Sequence, residues 1–421
     1  MKKYYIKTYG CQMNISDSRK MADILDGAGY EEIRISENQG IRAIRELEQC
    51  DIIVVNTCTV RANAENKGLW FAKSLKHHKE KNPNLKIIFC GCIVEDKKNE
   101  ITKLLPHVDL FIPPNSSEKL EEFLVFSPSI EKRGGNRAER GGGEFVTIMH
   151  GCNNFCSYCI VPYVRGREKS RTPEEILEEI RILGNQGIRE ITLLGQNVNS
   201  YKYGFAKLLH MIEKTIEGEI RGLERIRFLT SHPKDMSDDI IDAVADLPHL
   251  CEHIHLPIQH GDDEILKAMN RGYTVDDYKR IAEKIRNKIK GVAITTDMII
   301  GFPGETEKHF SNSVGRIREF AFDQVVTTIY SPRSKTAAAK MENQVPEEIK
   351  KERLQRIMKV TDAMALEQNK KLVGTTQEIL NGRTRTNKIV KSNLKGQPGN
   401  VTITSARSYI LYGGTTNDTR K

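Results

Sequence analysis

Long apolar runs are missing from this sequence of 421 residues, of which 38% are hydrophobic. No stretch approaches the roughly 20 apolar residues that a membrane-spanning helix requires. The first residues, MKKYYIKTYGCQMN, also lack the apolar core of a signal peptide and are typical of a strand. We therefore predict a cytoplasmic protein that has no membrane partner.

Acidic residues are fewer than basic ones: the sequence has 56 Asp and Glu and 65 Lys and Arg, which gives a formal net charge of +9. This balance favours an anionic partner; it is compatible with nucleic acid but does not demonstrate it. The nine cysteines occur without a secretory signal, in a setting where disulfide frameworks are rare. They indicate metal or redox chemistry in a reducing compartment.

Three of the cysteines lie close together in the stretch MHGCNNFCSYCIVPYVRGR, residues 149–167. Cys152, Cys156 and Cys159 have the spacing C-x3-C-x2-C and follow a short apolar run. Four-iron clusters usually take four cysteines, so three would leave one iron open for a cofactor or substrate. The alternative is a zinc site or three unrelated thiols. A zinc loop would need a fourth ligand at knuckle spacing, and His150 fits that role poorly.

Three further cysteines each follow a predicted strand in the first part of the chain. Strands are predicted at 3–9, 51–56, 85–90 and 110–112, and helices at about 16–28 and 62–79. Cys11, Cys58 and Cys92 come one or two residues after the first three of these strands. Alternating strands and helices predict a parallel α/β sheet, whose carboxyl ends share one ligand-binding edge. The three cysteines are therefore predicted to converge on a second metal site.

Not every cysteine in this region has such a position. Cys50 precedes its strand and Cys90 lies inside one, so both are expected to be buried or incidental. Cys11, Cys58 and Cys92 could also be nothing more than small apolar residues at strand ends.

The chain from residue 144 onward alternates more regularly. Strands are predicted at 145–149, 190–194, 225–229, 253–257, 293–300 and 324–330. Helices are predicted near 172–186, 205–216, 238–245, 275–288 and 305–320. Six parallel strands with intervening helices predict a partial (βα)6 barrel, in which functional groups lie on the loops after the strands. The C-x3-C-x2-C loop occupies that place after the first strand.

The last part of the chain changes character. One long helix at 346–372 precedes short β segments at 376–380, 387–390, 401–404 and 408–412, which predict a small β-barrel. Arg383, Arg385 and Lys388, with two tyrosines, suit RNA backbone and unpaired bases, although a basic solubilising surface is the alternative. Upstream, KRGGNRAERGGG at 132–143 is typical of a flexible linker, with a nucleic-acid-binding patch as the alternative.

These motifs together resemble one enzyme family, the radical S-adenosylmethionine methylthiotransferases. YGCQMN at 9–14, NTC at 56–58 and GC at 91–92 are similar to the N-terminal domain of that family. LLGQNVNSY, LTSHP, LPIQHG, MNRGYT and DMIIGFPGET resemble its shared central motifs, and GRTRTNK at 382–388 resembles the basic strand of its TRAM domain. Gln-Met-Asn after Cys11 favours the MiaB-type branch, which makes 2-methylthio-N6-isopentenyladenosine in tRNA.

The resemblance implies two [4Fe-4S] clusters and S-adenosylmethionine as cofactors. It assigns Cys152, Cys156 and Cys159 to the cluster that cleaves S-adenosylmethionine, and Cys11, Cys58 and Cys92 to an auxiliary cluster that carries the methylthio group. The cofactor-binding residues that it implies are Tyr158, Gly195, Gln196, Asn197, Ser231, Gln259 and Asp297. No protein acid or base is assigned, because radical chemistry belongs to cofactors. Arg383, Arg385 and Lys388 are expected to hold the tRNA backbone.

The domains implied are an N-terminal methylthiotransferase domain (1–128), a linker (129–143), a radical S-adenosylmethionine domain (144–371), a TRAM-like domain (372–414) and a tail (415–421). The stretch between Val373 and Gly382 is shorter than the family usually shows, which puts closure of the barrel in question. Expected partners are tRNA, an electron donor such as flavodoxin or ferredoxin, and a sulfur donor, with a monomeric enzyme.

Three alternatives stay open at this point. One is methylthiotransfer to threonylcarbamoyladenosine in tRNA, and another is methylthiotransfer to a ribosomal protein side chain. The third, of a different class, is a non-catalytic iron-sulfur protein that binds RNA.

Overall fold

The structure is a computed structural model, and it describes residues 1–35, 46–124, 143–394 and 397–415. The predicted linker and tail lie almost entirely outside these residues. The chain forms two compact units. The first contains the described residues up to 124 together with His150–Asn153 and Cys159–Glu168. The second contains residues 143–149, Asn154–Tyr158 and the chain from residue 169 onward.

The first unit is built on a five-stranded sheet of order β2-β1-β3-β4-β5, in which every pair is parallel. Its strands are β1 (Lys2–Tyr9), β2 (Tyr30–Glu32), β3 (Ile52–Thr57), β4 (Lys86–Cys90) and β5 (Leu110–Ile112). Its helices are α1 (Gln12–Gly27), α2 (Ala62–Lys81), α3 (Cys92–Leu104), α4 (Glu118–Leu124) and α5 (Val161–Val164). The predicted parallel α/β sheet is confirmed, whereas β2, α3, α4 and α5 are additions to the prediction.

Burial on both faces explains why the central strand is a continuous apolar run. Ile53 and Val55 of β3 belong to one hydrophobic core, and Ile52 and Val54 belong to a second core on the opposite face. A strand covered on both sides has no polar face to alternate with the apolar one.

The second unit contains two groups of three parallel strands with helices between them. The groups are β6-β9-β10 and β11-β12-β13, and a single parallel bridge joins Ile226 of β10 to Leu250. The strands are β6 (Glu144–Thr147), β9 (Glu190–Leu194), β10 (Arg225–Phe228), β11 (His253–His255), β12 (Ala293–Ile300) and β13 (Gln324–Ile329). Two short strands, β7 (Met149–His150) and β8 (Lys169–Ser170), pair with each other. All six predicted strands are present at nearly the predicted bounds.

Apart from a short helix at 263–268, which the sequence does not predict, the helices between these strands lie at nearly the predicted bounds. They are α6 (Pro173–Asn185), α7 (Phe205–Glu219), α8 (Asp238–Asp246), α9 (Asp263–Ala268), α10 (Val275–Lys288) and α11 (Glu307–Phe320). Thr172 caps α6 by accepting a hydrogen bond from the Glu175 amide, and the Glu175 carboxylate accepts one from the Thr172 amide. This reciprocal capping satisfies two amides that the helix itself cannot pair.

A long helix, α12 (Glu347–Lys370), leads into a four-stranded sheet of order β14-β16-β17-β15. The strands are β14 (Thr376–Ile379), β15 (Ile389–Lys391), β16 (Gly399–Ala406) and β17 (Ile410–Gly414). The sheet curls partly, because Arg383 makes single bridges to Leu380 and to Ile389. The predicted small β-barrel is therefore not seen in the described part of the chain. Within the described residues, the connection between β14 and β15 forms single bridges through Arg383 and no strand. A full strand at this place would be needed to close the sheet into a barrel.

None of the described helices is both long enough and apolar enough to cross a bilayer.

Candidate active site

Cys11, Cys58 and Cys92 meet at the carboxyl edge of the first sheet. Cys11 precedes α1, Cys58 is the first residue after β3, and Cys92 is the first residue of α3. The Cys58 thiol contacts the thiols of both Cys11 and Cys92. The edge geometry predicted from the sequence thus brings the side chains of three distant residues together.

A buried amide pair and one glycine fix the loops that carry these thiols. The Asn14 Nδ2 donates to the Asn56 Oδ1 at 2.9 Å, and the Asn56 Nδ2 donates to the Asn14 main-chain oxygen at 2.9 Å. Gly91 has a φ of 104°, and a Cβ at this position would collide with the main-chain oxygen of Thr57. Only glycine tolerates both the conformation and the close approach.

The contacts among the thiols and one nearby cation shift their pKa values. Contact with Cys58 is the main cause that lowers the pKa of Cys11 to about 6, and it also lowers the pKa of Cys92. The same two contacts raise the pKa of Cys58. The guanidinium of Arg165 lowers the pKa values of Cys11 and Cys92 further. The thiolate is the form that binds metal, so the lowered pKa values of Cys11 and Cys92 and the contact of all three thiols fit a metal cluster.

The other two cysteines of this region behave as the sequence indicates. Cys50 precedes β3 and lies 3.6 Å from the main-chain oxygen of Glu46, while Cys90 packs 3.7 Å from the sulfur of Met21. Burial is the main cause that raises the pKa of both thiols. Neither belongs to the three-cysteine group.

The C-x3-C-x2-C loop lies between β7 and α5. The Gly151 φ of 74° and the closeness of the Arg167 main chain leave no room for a Cβ there, and the Cys152 amide donates to the Gly166 oxygen at 3.2 Å. Cys156 is buried, and its sulfur accepts a hydrogen bond of 3.2 Å from the Nη1 of Arg271. This loop therefore has a fixed backbone, and one of its thiols has a charged donor.

Arg271 is a site residue that sequence reasoning missed, although it lies in the MNRGYT motif. Its guanidinium is buried and donates to the Tyr273 hydroxyl at 2.9 Å and to the Pro257 oxygen at 3.0 Å. It also lies 3.3 Å from the hydroxyl of Tyr158. Because 115 residues separate Arg271 from Cys156, no local pattern signals their contact.

The loops after β9 and β10 carry buried polar atoms without partners. The Gln196 Oε1, the Asn197 Oδ1 and the Ser231 Oγ have no hydrogen-bond partner among the described residues. Neighbouring Gly195 has no room for a side chain, since a Cβ would meet Met149. Buried polar atoms without partners are rare in native proteins and call for a ligand.

His232, beside Ser231, is held neutral. Burial, followed by the charge of Arg271, lowers its pKa to about 2. Its Nδ1 accepts from the Lys234 amide at 3.3 Å, whereas its Nε2 has no partner in the described ranges. A neutral imidazole at this position contributes no charge to the loops.

Gln259 and Asp297 face each other on neighbouring segments. The Gln259 amide donates to the Asp297 main-chain oxygen at 2.9 Å, and Gln259 has a φ of 69°. The Asp297 carboxylate is partly exposed and lies 3.5 Å from the Nε2 of His255. The Ser231 amide bonds to the His255 oxygen at 3.4 Å, so adjacent post-strand loops are joined in turn.

The polar atoms of these loops fit the chemistry of S-adenosylmethionine. The orphaned atoms belong to Gln196, Asn197 and Ser231, three of the residues that the sequence indicates, and amide and hydroxyl groups bind amino, carboxylate and ribose groups readily. The two cysteine groups offer three thiols each, which is the donor chemistry of iron-sulfur clusters.

The three cations expected at a tRNA interface each have a protein partner. Arg385 holds the Glu252 carboxylate at 2.7 Å, and the Lys388 Nζ lies 2.8 Å from Asp323. The Arg383 guanidinium is about half buried and donates to the Asn387 main-chain oxygen at 3.0 Å. All three side chains join the C-terminal sheet to the rest of the second unit or to its own turn.

Two other cations of the C-terminal sheet are exposed. Lys391 lies at the end of β15, and Arg407 follows β16. The Arg407 guanidinium stands 5.6 Å from the ring centroid of Tyr412. A cation beside an aromatic ring is a common arrangement at surfaces that bind single-stranded nucleic acid.

Comparison with known proteins gives a family match for each of the two regions that carry the cysteine groups. Residues 146–317 match the Radical SAM superfamily, and residues 3–113 match the uncharacterized protein family UPF0004. A radical S-adenosylmethionine methyltransferase, TsrM from Kitasatospora setae, shares the fold at 14% identity with a TM-score of 0.61, covering 80% of this chain and 74% of its own.

Two curated relatives are similar over nearly the whole length. The protein from Caldicellulosiruptor saccharolyticus is 43% identical, covering 98% of this chain and 92% of the relative. The protein from Clostridium beijerinckii is also 43% identical, covering 98% of this chain and 95% of the relative. Both relatives are named tRNA-2-methylthio-N(6)-dimethylallyladenosine synthase. The chain belongs to this family of radical S-adenosylmethionine methylthiotransferases.

Proposed function

We propose that this enzyme methylthiolates C2 of N6-isopentenyladenosine at position 37 of tRNA, next to the anticodon, and produces 2-methylthio-N6-isopentenyladenosine. The observation that carries the proposal is the presence of two separate three-cysteine groups. One lies on a single loop, and the other is assembled from three strand ends. An enzyme that only cleaved S-adenosylmethionine would need the first group alone.

The two cysteine groups hold the cofactors of the family, which are two [4Fe-4S] clusters and S-adenosylmethionine. Cys152, Cys156 and Cys159 would hold one cluster with three thiolates, and this cluster would bind S-adenosylmethionine. Cys11, Cys58 and Cys92 hold the auxiliary cluster. With these groups bound, the chemistry supplied is reductive cleavage of S-adenosylmethionine, removal of hydrogen from C2 of the adenine and transfer of a methylthio group.

The protein's own residues would position the cofactor. Gln196, Asn197 and Ser231 have buried polar atoms without partners that would bind S-adenosylmethionine, with Gly195 beside them and with Gln259 and Asp297 on the adjoining segments. By its resemblance to the family, Tyr158 would lie against the adenine of S-adenosylmethionine. No side chain of the site is required as an acid or base, since the C–H bond is broken by the cofactor.

Binding of tRNA involves the C-terminal sheet, which we take to be a reduced TRAM-like module spanning residues 372–414. The other proposed domains are 1–128, the linker 129–143 and 144–371, followed by the tail 415–421. Arg383, Arg385 and Lys388 serve the tRNA by holding the sheet in place. Exposed Lys391 and Arg407 contact the backbone directly.

A charge-reversal experiment separates these two groups of cations. Lys391→Glu and Arg407→Glu together should weaken tRNA binding at least tenfold and reduce its salt dependence, because each phosphate contact contributes to the salt slope. Lys388→Glu should act through loosening of the sheet and should change hydrogen exchange of β14 and β15 as well. If Lys391→Glu and Arg407→Glu leave the affinity unchanged, the exposed cations are not the interface.

The proposal includes three partners or states of the enzyme. An electron donor such as flavodoxin or ferredoxin reduces the first cluster, a separate donor supplies sulfur, and the enzyme acts as a monomer in the cytoplasm. Gel filtration with light scattering tests whether the enzyme is a monomer.

Nucleoside mass spectrometry tests the reaction. Isopentenylated tRNA is incubated anaerobically with reconstituted enzyme, S-adenosylmethionine, sulfide and a strong reductant. A methylthio group on the adenosine supports the proposal, and Cys58→Ala and Cys156→Ala should each abolish it. The control Cys50→Ala should retain full activity, because Cys50 lies outside both groups.

The other outcomes each identify a rival. If 5′-deoxyadenosine forms but this tRNA stays unmodified, the substrate is a threonylcarbamoyladenosine tRNA or a ribosomal protein. If two clusters are present and S-adenosylmethionine is not cleaved, the protein is a non-catalytic iron-sulfur protein that binds RNA.

A further inference from the structure

Arg165 reaches the auxiliary three-cysteine group through a contact that nothing in its local sequence signals. Its Nε donates to the Cys92 sulfur at 3.2 Å, across a sequence separation of 73 residues. Its Nη2 donates to the Asp17 carboxylate at 2.9 Å, and its Nη1 donates to the Asn115 Oδ1 at 3.3 Å. Each nitrogen of the guanidinium therefore has one acceptor, and one of these acceptors is a thiol of the site.

The whole arrangement is buried. Arg165 and Asp17 are each only 7% exposed, and Cys92 is 2% exposed. Burying an ion pair usually costs about as much free energy as its attraction returns, so stability alone gives little reason to place one here. The charge instead acts at short range on the sulfur, because a buried interaction is screened much less than a surface one.

The position of Arg165 is fixed by the short helix before it. Helix α5 packs on α3, and Ile160 and Val164 form one apolar cluster with Cys92. Arg165 follows this helix, and its amide bonds to the Val161 oxygen at 2.8 Å. Cys159 begins the same segment six residues earlier. One short segment thus supplies a thiol of the first cysteine group and the cation beside the second.

We propose that Arg165 is a positioning residue that holds the Cys92 sulfur and raises the reduction potential of the auxiliary cluster, with Asp17 as the opposing charge that limits this rise. Hydrogen bonds to the sulfurs and nearby charge are the levers by which a protein sets such a potential. A positive donor stabilises the reduced, more negative state. The inference rests on the proposed auxiliary cluster, and it goes beyond the reaction to name what tunes that cluster.

The experiment uses the full chain in which Cys152, Cys156 and Cys159 are changed to alanine, so that only the auxiliary cluster is bound. Its midpoint potential is measured by redox titration followed by electron paramagnetic resonance. Iron and sulfide content are determined for each variant. The variants Arg165→Gln, Arg165→Lys and Asp17→Asn are compared with the control Arg167→Gln, which removes the same charge at an exposed position two residues away.

Arg165→Gln should give a more negative midpoint potential at unchanged iron content. At the midpoint of the parent protein, the reduced fraction relative to the oxidised fraction should fall about tenfold, which corresponds to ~59 mV for one electron. The midpoint potential of Arg165→Lys should lie between those of the parent protein and Arg165→Gln. Lysine keeps the positive charge but cannot donate to all three acceptors of the guanidinium. Asp17→Asn should shift the potential in the opposite direction, and Arg167→Gln should not shift it.

An intact cluster with an unchanged potential in Arg165→Gln overturns the inference. The same sign of shift in Arg165→Gln and Asp17→Asn also overturns it, because a merely structural pair would act through loss of packing. If Arg165→Gln loses its iron, unchanged potentials in Arg165→Lys and Asp17→Asn are enough to reject it. A parent protein that binds no iron rejects the cluster assignment and this inference together. A tuned cluster without tRNA modification rejects only the proposed function.

Discussion

Replacing Arg225 with methionine removes the most deeply buried cation that holds the C-terminal sheet. Arg225 is 0% exposed, and its guanidinium donates to the main-chain oxygens of Arg383 and Glu378 at 2.9 Å each. It also lies 2.8 Å from the Glu378 carboxylate. Methionine fills a similar volume but donates to neither carbonyl oxygen, and the Arg383 oxygen keeps its hydrogen bond of 3.0 Å from the Leu380 amide.

The magnitude follows from what remains buried. Breaking a buried charged pair costs about 3–5 kcal/mol. The Glu378 side chain is 50% exposed and regains water when its partner is lost, so the lower end of that range applies. Since about 1.4 kcal/mol corresponds to tenfold in an equilibrium constant, opening of the sheet should become roughly 100-fold more frequent. Unfolding of the whole chain is not a suitable measure, because a protein of several domains rarely unfolds in one step.

Hydrogen exchange with mass spectrometry measures this local opening directly. Peptides that contain β14 and β15 should lose about 100-fold protection in Arg225→Met, whereas peptides from β1 and β3 should not change. Arg407→Met serves as the control, since it removes an exposed cation from the same sheet. Equal protection of β14 in Arg225→Met and in the unmodified protein would refute the reasoning.

Three further predictions concern the site. Cys58→Ala should halve the iron bound per chain. Cleavage of S-adenosylmethionine should stay measurable, because the loop that carries Cys156 is unaffected. An iron content at the level of the parent protein would contradict the auxiliary site. Arg271→Gln should lower the midpoint potential of the first cluster, because the hydrogen-bond donor to Cys156 is lost. Redox titration should place the potential of Arg271→Lys closer to that of the parent protein. An identical potential in all three proteins speaks against this role of Arg271. The pKa values of His232 and His253 are lowered in the folded chain, mainly by burial, so below the ordinary value of about 6.5 the unfolded chain binds protons that the folded one does not. The free energy of unfolding of the second unit should therefore fall as the pH drops from 7 to 5, by up to about 1.4 kcal/mol per pH unit for each imidazole. Hydrogen exchange at pH 7 and pH 5 measures this change. A stability that does not depend on pH would show that the imidazoles are protonated in the folded chain.

The convergence of Cys11, Cys58 and Cys92 was predictable because it follows from a local pattern and one general rule. Each cysteine comes directly after an apolar run, and parallel strands align their carboxyl ends. No knowledge of packing is needed for that inference. The same rule brought Gln196 and Ser231 to neighbouring loops.

Contacts that depend on packing between remote segments were not predictable. The bond from Arg165 to Cys92 joins residues 73 apart, and that from Arg271 to Cys156 joins residues 115 apart. An arginine in a loop carries no sign of where its guanidinium ends. The same limit applies to Arg385, because the sequence shows its charge but not that Glu252 will face it.

The paired amides of Asn14 and Asn56 have a consequence for how the enzyme withstands oxidative loss of its auxiliary cluster. Zinc fingers unfold when their metal leaves, because the metal is what ties their loops together. Here hydrogen bonds between Asn14 and Asn56 also tie together the segments that carry Cys11 and Cys58. We therefore expect that loss of an oxidised cluster leaves these segments folded, so that a new cluster can be inserted without refolding of the chain.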